Sequence, residues 1–257
     1  MKCVTNAELW IMNFEMKKIN LRPLLIIFLL TISLFENINS QTNDSEKKGT
    51  RTIYLIRHGH YNEEDERDEY TGKELTPLGI TQARLVATRL KAMPVIFTSL
   101  ISSTMTRARQ TAMIINQEFP ELELKQNSLI SECTPPTWRE DVMAKTDSVE
   151  VYECVENIEK VFKEYFIPSP DEKDRNDIIV CHGNVIRYFV AKILKADPLS
   201  WLQMSITNCS LTIVRITPNG SMKLDAFSDY GHIPENLRTF TGGKNEEKEL
   251  VAPVKSH

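Results

Sequence analysis

Two short runs of β-branched and apolar residues each stop at a His-Gly pair, and no other feature of the chain limits its fold so tightly. Arg51-Thr-Ile-Tyr-Leu-Ile-Arg57 ends at His58-Gly59, and Asp177-Ile-Ile-Val-Cys181 ends at His182-Gly183. Runs this apolar, without polar alternation, read as strands buried on both faces, as in a parallel sheet. Helical periods separate them. Thr76-Pro77 opens one, a capping hydroxyl followed by a proline whose missing N–H is harmless in a first turn. Ile80, Ala83, Ala87 and Leu90 follow at helical spacing to Met93. Pro94–Ser99 predicts a second strand and roughly Thr104–Glu118 a helix. Val151, Val155, Ile158, Phe162 and Tyr165 mark one face of a third helix. Val185–Leu194 predicts another, and Ser210–Ile216 a strand ending at the turn Pro218-Asn219-Gly220. Strands alternating with helices predict an α/β domain of three layers, a mostly parallel central sheet flanked by helices. Such sheets bind ligands at the carboxyl ends of their strands, and both His-Gly pairs fall there.

Four segments carry chemistry-bearing residues to places of this kind. Arg57-His58-Gly59 closes the first strand, and Ser102-Ser103-Thr-Met-Thr-Arg107-Ala108-Arg-Gln-Thr111 follows the second. Glu132 lies in a loop after Leu129-Ile130, and His182-Gly183-Asn-Val-Ile-Arg187 follows the later strand. A neutral imidazole is a competent nucleophile near neutral pH, and attack on phosphorus would divide one displacement into two easier ones. Guanidinium forks match the oxygens of a transferring phosphoryl group in a way that a lysine cannot.

Taken together, these motifs resemble the histidine phosphatase superfamily, the phosphoglycerate mutase-like fold. The resemblance covers about Arg51 to Phe240. It implies a metal-independent phosphatase that works through a phosphohistidine on His58, acting on phosphoserine and phosphothreonine of proteins. Arg57, Arg107 and His182 would bind the phosphoryl group, with His182 protonated once phosphate is present. Glu132 would protonate the leaving alkoxide and then activate water. No cofactor is implied. Two other readings stand beside it: a small-molecule phosphatase or mutase, and a catalytically inert scaffold that binds partners through the phosphate pocket. The interval between His58 and His182 is short for the substrate-enclosing insertion of mutases, and the intact Arg57, His58, Arg107 and His182 argue against an inert scaffold.

Bland readings remain for single residues. A lone histidine at a strand end is more often a satisfied core residue than a nucleophile. His58 and His60 form an HxH pair, but no carboxylate or third histidine recurs at ligand spacing, so no metal site is expected. Arg109 reads as a solvated helix residue, Arg187 as an ion-pair partner or a site residue, and His232 as surface or packing. The acidic stretch Tyr61–Lys73 has no apolar period and reads as a solvated loop.

The chain of 257 residues has a net charge of −4, so a nucleic-acid partner is not expected. Its first residues read differently from the rest. Pro23 to Phe35 is almost wholly apolar and follows Lys17, Lys18 and Arg22. It is shorter than the roughly 20 residues of a membrane span and fits the roughly 7–15 of a signal-peptide core. Residues 1–41 are therefore expected to target or anchor the chain, and 42–50 to link to a catalytic domain at 51–240, with a polar tail at 241–257. The family resemblance points to a mitochondrial membrane held through residues 23–35, and the leader equally suits the secretory pathway. A phosphoprotein substrate and a homo-oligomer complete the expected partners. Cys133, Cys154, Cys181 and Cys209 show no CxxC pairing, and Cys181 reads as a buried thiol.

Overall fold

The computed structural model describes residues 48–240. The targeting segment 1–41, most of the linker and the tail 241–257 lie outside the described residues. Six strands form one sheet: β1 (Arg51–Arg57), β2 (Ser99–Ser102), β3 (Leu124–Gln126), β4 (Arg175–Cys181), β5 (Leu211–Ile216) and β6 (Met222–Asp229). Their spatial order is β3-β2-β4-β1-β5-β6. The first four are mutually parallel, while β5 and β6 run antiparallel at one edge. The sheet is thus mixed, with the parallel core expected from the apolar runs.

Alternation along the central strands explains the layers. Ile53 and Leu55 of β1, with Ile179 and Cys181 of β4, enter one apolar cluster. Tyr54 and Ile56, with Ile178 and Val180, enter the other. Both faces are buried, which is why neither strand shows a polar alternation. Helices α1 (Pro77–Lys91) and α2 (Thr106–Asn116) cover the second face through residues such as Val86, Leu90, Ala108 and Ile115. After the short α3 (Glu140–Met143), helices α4 (Ser148–Tyr165) and α5 (Gly183–Ile193) cover the first. Among the described residues no helix is long and apolar enough to cross a membrane.

Several expectations shift. The strand predicted over Pro94–Ser99 begins only at Ser99, because β2 pairs with β4 from Ser99 onward. Ile96 is 86% exposed, while Phe97 packs edge-on against Tyr54 and Phe119. An apolar triplet beside a proline is too short to reveal which neighbour takes it. The sequence reading does not include strands β3 and β6; β3 is short and shallowly buried, whereas Met222-Lys-Leu-Asp-Ala in β6 alternates apolar and polar residues, a period-2 signal that could have found it. On α4 the fully buried positions are Cys154, Ile158 and Val161, and Val155 and Phe162 flank that stripe.

Cysteine spacing left the pairing open, and the fold decides it. Cys133 and Cys154 form a disulfide with Cα atoms 5.6 Å apart across a separation of 21 residues. In the chain-entropy picture a loop of that size stabilises the folded state by about 3 kcal/mol. Cys181 and Cys209 are free and buried.

Candidate active site

Parallel pairing of β1 with β4 is the step that builds the site. Arg57 stands opposite Cys181 in the register, so the residues that follow, His58 and His182, leave the sheet side by side. The His58 amide donates to the Cys181 carbonyl at 3.0 Å, and the two imidazole centroids lie 5.1 Å apart. On the other side of β4, β2 ends at Ser102 opposite Val180. The Ser103 amide then donates to the Val180 carbonyl at 2.9 Å, which aims the turn into α2 at the same point. Arg107 therefore sits in the first turn of α2, within reach of His58.

The backbone around His58 is tied down from three directions. Asn208 Nδ2 donates to the His58 carbonyl at 2.9 Å, and the Gly59 amide donates to Thr111 Oγ1 at 3.0 Å. The His60 amide donates to Gln82 Oε1 at 2.9 Å. The two glycines of Arg-His-Gly and Leu-Thr-Pro-Leu-Gly meet here. A Cβ on Gly59 would come 2.7 Å from the Gly79 carbonyl oxygen, and one on Gly79 would overlap the carbonyl oxygen of His60. Neither position has room for a side chain, because the contacts are backbone on backbone.

Hydrogen bonds assign the His58 tautomer. Its Nδ1 lies 2.9 Å from the Gly59 carbonyl, which can only accept, so Nδ1 carries the proton. Arg107 Nε, which can only donate, lies 3.2 Å from Nε2. The Nε2 lone pair therefore points toward the guanidinium. Burial first, and then the charges of His182, Arg57 and Arg107, hold the His58 pKa well below 6.5. The same causes, burial followed by Arg107 and Arg57, hold His182 low. His182 is thus neutral in the free site; the protonation expected of it concerns the phosphate-bound state, where an added dianion would favour the imidazolium.

Arg57, His58, Arg107 and His182 are all buried, and all four converge. Arg57 Nη1 donates to the Ile206 carbonyl at 2.9 Å, and burial lowers its pKa to about 10, which still leaves it cationic at neutral pH. Its Nε and the Nδ1 of His182 make no hydrogen bond among the described residues, although both are buried. Buried polar atoms ordinarily have partners, and these two are unpartnered donors or acceptors lying beside the His58 cluster. Glu132 joins the group, one carboxylate oxygen accepting from the Asn184 amide at 3.3 Å. Burial raises its pKa above 4.5, against the opposing pull of Arg107, Arg57 and Arg187.

Proximity of His58, Glu132 and His182 was not legible from their spacing in sequence. One ligand atom from each lies within 4.8 Å of the others, a separation that a cation could bridge. The electrostatics oppose this. Arg57 and Arg107 depress the protonation of both imidazoles, and they would repel a metal ion for the same reason. The field suits an anion.

Four contributors escaped the sequence reading. Ser103 Oγ lies 2.9 Å from His182 Nε2 and fixes that ring; it stands inside the Ser-Ser-x-x-x-Arg motif, which could have signalled it. Asn184 follows His182-Gly183 and holds the Glu132 loop. Tyr61 and Glu69 come from the acidic stretch read as a solvated loop. The Tyr61 ring packs edge-on to His58 at 5.3 Å and beneath the Arg107 guanidinium at 4.6 Å, while the Glu69 carboxylate pairs with Arg107 Nη1. No local period announces such contacts, since they depend on where the loop folds back. Arg187 is held by the carbonyls of Gly183 and Met204 and by Asn184 Oδ1, and stacks on Trp201. His232 packs between Arg89 and the Cys209 carbonyl, away from the His58 and His182 cluster.

Comparison with known proteins agrees with this geometry. The chain is 40% identical over 208 residues to the mitochondrial serine/threonine-protein phosphatase Pgam5 of Caenorhabditis elegans, covering 76% of this chain and 69% of that protein. It is 35% identical over 207 residues to the Homo sapiens protein of that name, covering 79% and 71%. Among solved structures, a phosphoglycerate mutase from Plasmodium falciparum superposes with a TM-score of 0.51 at 28% identity, covering 73% of this chain and 96% of that one. Residues 53–229 match the family model of the histidine phosphatase superfamily, branch 1, and this chain belongs to that family.

Proposed function

We propose that this chain is a phosphatase of phosphoserine and phosphothreonine in proteins, working through a phosphohistidine on His58 without a metal ion. The observation that carries it is the unprotonated Nε2 of His58, facing Arg107 and flanked by Arg57 and His182 in one buried cluster. The Nε2 lone pair attacks phosphorus as the ester P–O bond breaks, and the departing alkoxide takes the proton of the Glu132 carboxyl. Glu132, now a carboxylate, accepts a proton from water. The resulting hydroxide attacks phosphorus, the P–N bond breaks, and phosphate leaves. Arg57 and Arg107 stabilise the charge on the equatorial oxygens throughout, which accounts for most of the catalysis in phosphoryl transfer. His182 adds a donor once the dianion has raised its pKa.

The substrate class rests on the names of relatives such as those from Caenorhabditis elegans and Homo sapiens. The mutase and small-molecule readings are less favoured, because the mutase neighbour is more distant in sequence. An inert scaffold would not need an unprotonated His58 Nε2 held by Arg107 in a buried cluster. The mitochondrial location in the names of those relatives, together with the apolar run at 23–35, supports delivery to a mitochondrial membrane.

The test uses p-nitrophenyl phosphate and a phosphoserine peptide, each with and without EDTA. Turnover of both, unchanged by the chelator, is expected. Loss of turnover on chelation would overturn the metal-free reading, and hydrolysis of the small ester alone would overturn the protein substrate.

A further inference from the structure

We propose that the Cys133–Cys154 disulfide is a positioning strut for Glu132, so that thiol–disulfide chemistry controls proton donation to the leaving group while leaving the nucleophile in place. The proposal rests on the assignment of Glu132 as the general acid.

Glu132 is borne by a loop and not by a strand or a long helix, so its position depends on side bonds. The loop is anchored below by the short 3-10 turn Ser128–Ile130 and above by Trp201 Nε1, which donates to the Pro136 carbonyl at 3.0 Å. Between those anchors lie Glu132, Cys133 and Thr134. Ser131 Oγ touches the Ser103 and Thr104 hydroxyls just before Glu132, and two further devices hold the residues that follow. Asn184 takes the Glu132 carboxylate on its amide and donates Nδ2 to the Cys133 carbonyl at 3.0 Å, its own amide group fixed by Arg187 Nη2 at 2.6 Å. The disulfide then bolts Cys133, the residue next to Glu132, to Cys154 in the buried stripe of α4.

The nucleophile and the clamp are positioned mainly by other bonds, although Ser131 Oγ beside Glu132 does reach Ser103 Oγ, which fixes His182. His58 and His182 leave neighbouring parallel strands, and Arg107 belongs to α2 on the opposite face of the sheet. Opening the strut should therefore loosen the acid selectively. Cys133 is only partly buried while Cys154 is buried, so a small dithiol is the reagent to try and its attack would come from the Cys133 side; Cys181 and Cys209 are fully buried free thiols with nothing to reduce. A thiolate of the dithiol attacks one sulfur of the Cys133–Cys154 bond, and its second thiol closes on the mixed disulfide. Two electrons and two protons end on Cys133 and Cys154, and the reagent leaves as a disulfide.

Leaving-group dependence separates a displaced acid from a damaged fold. p-Nitrophenolate spreads its own charge and departs without help, whereas phenolate, carried on a ring of similar size, relies far more on a proton. The full-length chain is assayed on phenyl phosphate and p-nitrophenyl phosphate before and after dithiothreitol, reading kcat/KM, which reports the first displacement. Reduction is expected to lower the value for phenyl phosphate about tenfold and that for p-nitrophenyl phosphate less than about twofold, since Asn184 still holds part of the loop. Reoxidation should restore both. The double variant Cys133→Ala/Cys154→Ala should match the reduced enzyme and ignore dithiothreitol. An equal fall on both esters would show that the bond serves the fold alone, and no change on either would show that it serves nothing at the site; each overturns the proposal. Glu132→Gln provides the reference. If it splits the two esters and reduction does not, the strut fails; if it treats them alike, the general-acid reading fails and the strut with it.

Discussion

Arg107 Nε donates to His58 Nε2 at 3.2 Å, while its Nη1 pairs with the carboxylate of Glu69. One guanidinium thus holds both the lone pair proposed to attack phosphorus and an acidic side chain from the Tyr61–Lys73 loop. In the proposed mechanism, a phosphoryl group would have to displace these contacts to reach the fork. This arrangement keeps the imidazole oriented, and under the proposed function it would make Arg107 the residue at which substrate and protein compete.

Removing the nucleophile should abolish turnover. His58→Ala is expected to lower kcat by about a thousandfold or more, since the phosphoenzyme route is lost and only binding and electrostatic stabilisation remain. Labelled substrate quenched in alkali should leave phosphate on the wild-type chain and none on the variant. Label on the variant would place the nucleophile elsewhere.

Replacing the fork by a point charge tests the clamp. Arg107→Lys is expected to cost about a hundredfold in kcat, because a single ammonium can neither span two oxygens nor orient His58. Circular dichroism should show the fold retained. A near-normal rate would remove Arg107 from the phosphate site.

Glu69→Gln should act in the opposite sense. Without the carboxylate, Arg107 is freer to meet an anion, and inorganic phosphate should inhibit about threefold more strongly; the effect is modest because Glu69 is part-exposed and its pairing is screened. Weaker inhibition would mean that Glu69 shapes the site instead of competing for it.

Proton inventory sets the pH profile. His58 must be unprotonated to attack, and its pKa is held well below 6.5, so the acid limb of kcat/KM should lie below that value. Glu132 must begin protonated, and burial holds its pKa above 4.5, so the alkaline limb should report loss of its proton. Phenyl phosphate hydrolysis followed across the acid and neutral range should lose its alkaline limb in Glu132→Gln. Persistence of that limb would assign it to another group.

The two glycines give a prediction about packing. Gly79→Ala would press a methyl into the His60 carbonyl, and relief requires backbone movement costing about 1–3 kcal/mol. A lowered melting temperature should accompany a fall in turnover, because the strand end bearing His58 moves with His60. Wild-type behaviour on both counts would show that the α1 entrance can give way freely.

Much of this molecule was legible in the chain itself. Apolar runs without alternation announced strands covered on both faces, and the residues at their ends, Arg57, His58 and His182, named the chemistry. Arg107 was legible because its motif stands beside predicted elements, whereas Glu132 lies in a loop without a motif and was singled out by the family resemblance. Pairing was not legible. That Arg57 would stand opposite Cys181, so that two histidines distant in sequence share one pocket, depends on which strands become neighbours, and side-chain periodicity carries no information about partners. The contacts of Glu69, Tyr61 and Asn184, and the choice of Cys154 as the partner of Cys133, belong to the same category. They are set by long-range packing of loops whose local sequence is compatible with many paths, and only the closed tertiary structure selects one.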